Sequence, residues 1–174
     1  THGGEAPNVV PHFAQAEFLV RAATLSAMNG VVDQVRRIGE GAALMTGARL
    51  DFALPEEANS DMITNYSLAS RLGQHLGAVG MALPEAKPEP GMGSTDWGNV
   101  SYLVPSVETA YPILDHVCTW HSQDVVDAAD SELGYANTLA VARAMALTGI
   151  DLIAEPGLLS AVQEEFARVK AERG

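Results

Sequence analysis

Gly93-Ser94-Thr95-Asp96-Trp97-Gly98-Asn99-Val100-Ser101, with Trp120-His121-Ser122 downstream, is the stretch on which the reading of this chain turns. A Gly-Ser-Thr-Asp turn gathers backbone N–H groups and two hydroxyls within a few residues, a combination that binds a carboxylate or a carbonyl oxygen. Ser94 and Asp96 also suit the plainer task of capping the next segment. That segment is apolar: residues 100–104 read as a strand, and residues 107–113 as a second one beyond Pro105.

Pro84, Pro88 and Pro90 mark an irregular connection ahead of the turn, since proline has no N–H to give to a helix or a sheet. Leu68, Leu72 and Leu76 predict one stripe of a helix before that connection, after the polar break Pro55-Glu56-Glu57-Ala58-Asn59-Ser60. Nearer the N-terminus, Ala14, Ala16, Phe18 and Val20 alternate with Gln15, Glu17, Leu19 and Arg21, which predicts a strand with Arg21 on its more polar face. Leu25, Met28, Val32, Val35, Ile38, Ala42 and Met45 recur at helical spacing, and Gly47 is placed to end that helix. Leu50, Phe52 and Leu54 then alternate as a second strand.

On the C-terminal side, residues 135–153 are small and apolar with Arg143 as the one basic charge, which predicts a buried helix able to pack closely on a sheet. Pro156 stops it or opens the next helix, whose apolar stripe is Leu159, Val162, Phe166 and Val169. The expected fold is therefore α/β in two units: a small α+β module over residues 1–56 and a helix-rich α/β segment over residues 57–174. A lone strand-helix-strand leaves a sheet face and its edges without partners, so neither unit is expected to be self-sufficient.

With 174 residues, 47% of them apolar, the chain can build a sizeable core. A net charge of -12 repels phosphate backbones and anionic lipid, which argues against nucleic acid and membrane partners. No uninterrupted apolar run approaches the roughly 20 residues of a membrane helix. Cys118 is the sole cysteine, which fits a reducing, cytoplasmic setting. Thr1 is not an initiator methionine, and Thr1-His2-Gly3-Gly4 reads as the middle of a loop, so the chain is expected to be a piece of a longer protein.

Among side chains, His121 is the sharpest candidate, because a neutral imidazole is a common metal ligand. His116-x-Cys118-x-x-His121 offers three possible donors for a local zinc site, with no second Cys/His pair to close a structural tetrahedron. Asn8 follows Pro7 in a Gly-rich stretch. Arg21 carries a planar guanidinium able to grip a carboxylate in bidentate fashion, or to pair with one of the many surface acids. Gly-x-Ser-x-Gly is absent, which disfavours a serine hydrolase.

Taken together, Gly3-Gly4-Glu5-Ala6-Pro7-Asn8-Val9-Val10-Pro11 and Phe18-Leu19-Val20-Arg21-Ala22 resemble the latter part of the lid, or dimerisation, domain of di-zinc amidohydrolases. That family includes aminoacylases, carboxypeptidase G, indole-acetyl-amino-acid hydrolases and p-aminobenzoyl-glutamate hydrolase. Residues 93–105, His121 with Ala128-Ala129 and Ser131-Glu132, and residues 142–152 resemble the matching catalytic-domain segments. The likeness is strongest to the p-aminobenzoyl-glutamate hydrolase and dipeptidase branch; residues 55–90 carry little of it.

The resemblance implies hydrolysis of an amide bond in N-acyl-amino acids, p-aminobenzoyl-glutamate or small dipeptides. It implies two divalent metal ions, zinc foremost with manganese or cobalt as alternatives, and a homodimer formed through the lid. His121 matches a metal ligand. Asn8 and Arg21 match residues holding the substrate carboxylate, and Gly93, Ser94 and Thr95 match a substrate-contacting turn. The family's His-x-Asp pair, bridging Asp, Glu-Glu pair and further histidines would lie ahead of Thr1, general base included. One ligand cannot hold a catalytic metal, so the chain by itself is expected to be inactive. A non-catalytic binding or dimerisation module that kept the fold is the rival reading.

Overall fold

The computed structural model describes residues 2–54, 58–81 and 93–173. The proline-rich connection and Pro55-Glu56-Glu57 of the polar break lie outside those residues. The chain divides into two compact units, Thr1–Ala58 and Asn59–Gly174.

The first unit is built on one long helix, α1 (Leu25–Thr46). Thr24 caps it, its hydroxyl accepting the Ala27 N–H at 3.2 Å. Gly47 closes it in the left-handed conformation, φ 71°, with its N–H returned to Ala43 O. Both ends thus follow from single residues, and glycine takes that φ without steric cost. The inner face differs slightly from the expected stripe. Leu25, Met28, Val32 and Val35 are half-buried, whereas Ile38 is 71% and Met45 83% exposed. Gly39 takes the inward place instead, and Leu50 fills the space above it: a Cβ on Gly39 would come within 3.0 Å of Leu50 Cδ2. Two residues on, Phe52 lies under the Arg36 guanidinium at 5.3 Å.

The two strands expected in this unit are absent among the described residues. Residues 14–21 make only an isolated antiparallel bridge, Gln15 with His2, its two N–H···O bonds both 2.8 Å. Residues 50–54 follow α1 without a ladder. Alternation shows that a segment has two faces; it does not supply a neighbouring strand to bond. Phe18, on the less polar face of that alternation, is 74% exposed.

The second unit is helical: α2 (Tyr66–Ala78), α3 (Trp97–Ser101), α4 (Gln123–Ala129), α5 (Glu132–Ala154) and α6 (Pro156–Arg173). The core lies where α2 packs on α5 and α6, and α4 leans on α5. Leu72 and Leu76, two of the predicted stripe, meet Val141 and Ala144 of α5, with Tyr111 and Val107 covering the edge. Pro156 opens α6 rather than merely ending α5, and Val162, at 3% exposure, anchors the expected α6 stripe.

Two expectations fail here. Residues 100–104 are not a strand: α3 covers Trp97–Ser101 and turns follow it. Residues 107–113 form no ladder either; the described pairing is a parallel bridge of Thr64 with Ser106. The α/β character is therefore not displayed, while the helix-rich character is. Nor is α5 a fully buried helix. Its inner stripe of Gly134, Val141, Ala144 and Thr148 is buried, but Leu139 is 71%, Ile150 57% and Ile153 87% exposed. With 23 residues and a mean hydropathy of 1.2 over its most apolar window, α5 is long and apolar enough to cross a membrane by length and composition alone. Isolated polar residues interrupt every apolar run in it, which hides this property from a search for unbroken apolar stretches. A core helix passes the same test, and the ion pairs that α5 makes to α2 suit that alternative.

Those ion pairs form one network. Arg71 of α2 donates to Asp151 at 2.7 Å and to both Glu155 carboxylate oxygens at 2.7 and 2.8 Å. His75 Nε2 lies 2.7 Å from the same Asp151 oxygen. Hydrogen bonds donated to Glu155 and then Asp151 hold the guanidinium more firmly protonated than usual. Hydrogen bonds from His75 and then Arg71 hold the Asp151 carboxyl below its ordinary range.

Candidate functional site

The Gly93–Asp96 turn is fixed by the segment that precedes α2. Gly98 stands in the first turn of α3, buried, and a Cβ there would fall 2.0 Å from Ser60 O. No side chain fits, so the two backbones touch. Asn99 Oδ1 accepts the Ser60 N–H at 2.7 Å. Ser101, fully buried, accepts the Ile63 N–H at 2.9 Å and donates to Gly98 O at 2.6 Å. Tyr102 OH donates to Asp61 at 3.0 Å, and burial, followed by that carboxylate, raises the phenol above its ordinary value. Arg173 reaches the other Asp61 oxygen at 2.5 Å.

The same segment ends on Asn65, 1% exposed, whose amide donates to Val162 O at 2.9 Å and whose Oδ1 caps α2 through the Leu68 N–H. Glu165 of α6 completes the cap by accepting the Tyr66 and Ser67 N–H groups, each at 2.8 Å. Desolvation alone would raise the Glu165 carboxyl, but the hydrogen bonds from Ser67 and Tyr66 outweigh it and the net shift is downward.

On this frame the Ser94 hydroxyl accepts from Asn59 Nδ2 at 2.7 Å, and Thr95 Oγ1 accepts the Trp97 N–H at 3.2 Å. The capping task expected of Ser94 or Asp96 thus falls to Thr95; Asp96 makes no side-chain cap bond. Ser94 is exposed and Thr95 half-buried, and a Cβ on Gly93 would meet open space. The turn therefore presents the Ser94 hydroxyl outward, with the half-buried Thr95 hydroxyl engaged beside it.

His121 is exposed and has a left-handed backbone, φ 63°, alone among the described non-glycine residues. That conformation costs a non-glycine residue about 1–2 kcal/mol. It sits directly before Ser122, the N-cap residue of α4, whose buried Oγ has no hydrogen-bond partner. His116 Nδ1 is engaged by Asp115 at 2.8 Å, and this contact lowers the Asp115 carboxyl. Among the described residues, no three His, Cys, Asp or Glu side chains come together to hold a metal. The local His116/Cys118/His121 zinc reading fails on that geometry. The described donors do not by themselves fit a metal centre, and His121 belongs to no donor cluster among them.

Beside this loop is a shallow depression of about 390 Å³ lined by Asp115, His116, Asp124 and Asp127 together with Ile113 and Leu133. Nothing in the sequence set these carboxylates apart from other solvated acids. Asn8 and Arg21 belong to the first unit. Asn8 lies exposed in the turn that returns the Val9 N–H to Ala6 O at 3.2 Å, and Arg21 is exposed a little ahead of the Thr24 cap. Sequence reasoning missed Asn59, the support of Ser94; no spacing rule connects two residues 35 apart.

No family model matches the chain. Over 167 residues, 95% of its length, it is 29% identical to the Xaa-Arg dipeptidase of Mus musculus. Its homologues are peptidases and amidohydrolases. The Homo sapiens Xaa-Arg dipeptidase is 27% identical over 168 residues, again 95% of this chain. One of the subunits of the Escherichia coli (strain K12) p-aminobenzoyl-glutamate hydrolase is 23% identical over 221 residues, covering 96% of this chain and 46% of that protein. The resemblance drawn from the motifs is thus the one the comparisons find. The chain spans 38% of the length of each dipeptidase it matches.

Proposed function

We propose that this chain supplies the C-terminal share of a metal-dependent hydrolase that cuts the amide bond of small dipeptides, N-acyl-amino acids or p-aminobenzoyl-glutamate. The observation that carries the reading is the similarity to two dipeptidases along 95% of the chain. The pinned Ser94–Thr95 turn supports it, being polar, presented outward and braced by backbone contact.

In this proposal the chain's own residues bind and orient. The Arg21 guanidinium and the Asn8 side chain hold the substrate's free carboxylate. Gly93, Ser94 and Thr95 make further contacts to the substrate. Such positioning lowers the barrier by removing the freedom of the reacting groups before the chemical step. His121 is proposed as one donor to a site of two divalent metal ions, zinc foremost. A catalytic metal takes three protein ligands and an open position, so the remaining donors and the general base would come from outside this chain. By itself the chain is proposed to be inactive. A homodimer through the residue 1–56 portion is proposed as the assembly.

The test is an assay of the full-length gene product on dipeptides, N-acyl-amino acids and p-aminobenzoyl-glutamate, with and without added Zn²⁺, Mn²⁺ or Co²⁺. Hydrolysis that falls at least about tenfold in kcat/KM on Arg21→Ala is expected. Activity that is unchanged in that variant removes Arg21 from its role, and no hydrolysis of any member removes the function.

A further inference from the structure

The hydrogen-bond polarity of the Gly93–Asp96 turn points to a residue outside it. A serine hydroxyl has one hydrogen to give and two lone pairs with which to accept. Asn59 donates its side-chain N–H to Ser94 Oγ at 2.7 Å, which occupies a lone pair and leaves the hydrogen to be given elsewhere. Thr95 is arranged the same way by the Trp97 N–H at 3.2 Å. Each hydroxyl thereby keeps its hydrogen to give, and the amide that feeds Ser94 polarises its O–H further. The complement of the exposed Ser94 donor is an acceptor oxygen, such as that of a carboxylate or a carbonyl.

Asn59 is itself well placed to impose this. The residue after it is held at its N–H by Asn99 at 2.7 Å and at its carbonyl by the side-chain-free face of Gly98. A few residues later the Ile63 N–H is held by Ser101 at 2.9 Å. The segment carrying Asn59 therefore has little freedom to move away from Ser94.

We propose that Asn59 is a positioning residue that fixes Ser94 as a hydrogen-bond donor to an oxygen of the substrate. This rests on the hydrolase reading above. Asn59→Asp is the informative change, because a carboxylate accepts where the amide donates and so takes the Ser94 hydrogen for itself. Asn59→Ala merely removes the donor and leaves that hydrogen available.

The experiment measures kcat and KM of the full-length protein on the same substrate panel for the wild type, Asn59→Ala, Asn59→Asp, Ser94→Ala and the Asn59→Asp/Ser94→Ala double variant, with thermal midpoints alongside. Asn59→Asp is expected to lose about tenfold in kcat/KM, matching Ser94→Ala and exceeding Asn59→Ala. The double variant is expected to be no worse than Ser94→Ala, and the thermal midpoints to stay together. Asn59→Asp at wild-type activity, or single losses that multiply in the double variant, overturns the proposal. A midpoint drop that accounts for the lost activity assigns Asn59 to maintaining the fold and overturns it too. A wild type inactive on the whole panel overturns the hydrolase reading, and this inference with it.

Discussion

Both units expose large apolar residues, but they differ in whether any of these residues build a buried core. In Thr1–Ala58 helix α1 has no buried residue, and Val10, Phe18, Leu19 and Leu44 are each more than 70% exposed. In Asn59–Gly174 three helices share a core, and a lattice of buried polar groups (Asn65, Ser101, Ser106, Thr148) is satisfied by hydrogen bonds. Good capping is common to both. Thr24 and Gly47 close α1 as well as Asn65 and Glu165 start α2. Local signals therefore make a helix, but only the second unit adds the packing from which most helix stability comes.

The sharpest way to break this contrast is to make one substitution in both units. Gly98→Ala places a methyl against Ser60 O, so the backbones must separate; a loss of roughly 3 kcal/mol or more is expected in urea unfolding of the second unit. Gly30→Ala in α1 meets nothing within 4 Å and should stabilise that helix by about 0.5–1 kcal/mol. Equal effects at the two positions would dissolve the distinction.

Core truncation comes next. Leu76→Ala, at 3% exposure, should cost about 2–5 kcal/mol, while Ile38→Ala, at 71%, should stay within about 0.5 kcal/mol in the same measurement. Asn65→Ala removes the side-chain acceptor of the Leu68 N–H and the buried bond to Val162 O, leaving Glu165 as the remaining cap, with an expected loss of about 2 kcal/mol.

The smallest effect is pH dependence, and it belongs to the second unit. Asp151 and Glu165 have lowered folded values. Their stabilisation is thus complete above the ordinary carboxylate range of about 4 and is lost as pH falls through the lowered folded values. Thermal unfolding between about pH 5 and 2 should show this decline. The Glu165→Gln variant should show less of it, and an unchanged slope would remove Glu165 from the account.

Much of the helical framework was legible in the sequence, and the reason is visible residue by residue. The spacing of Leu72 and Leu76, the stripe through Val162 and the position of Gly47 are local signals that tertiary structure left standing. The strands were misread because residues 14–21, 50–54 and 100–104 alternate without having a bonded neighbour. In residues 97–101 the winning influence was the close approach of Gly98 to Ser60, which no local pattern announces. The small apolar residues of α5 predict a buried helix, yet only one face finds partners among the described residues. At the site, residue types were legible in Ser94, Thr95 and His121. The Asn59 support and the Asp115–Asp127 depression were not, because they are made by folding residues together rather than by spacing them.

The most direct test of the functional account is a calorimetric titration of residues 1–174 with Zn²⁺. With His121 proposed as a single donor and no cluster of three or more donors among the described residues, the chain should show no tight two-metal binding. Two zinc ions bound tightly per chain, and lost on His121→Ala, would mean that a complete centre lies within these 174 residues and would contradict the account.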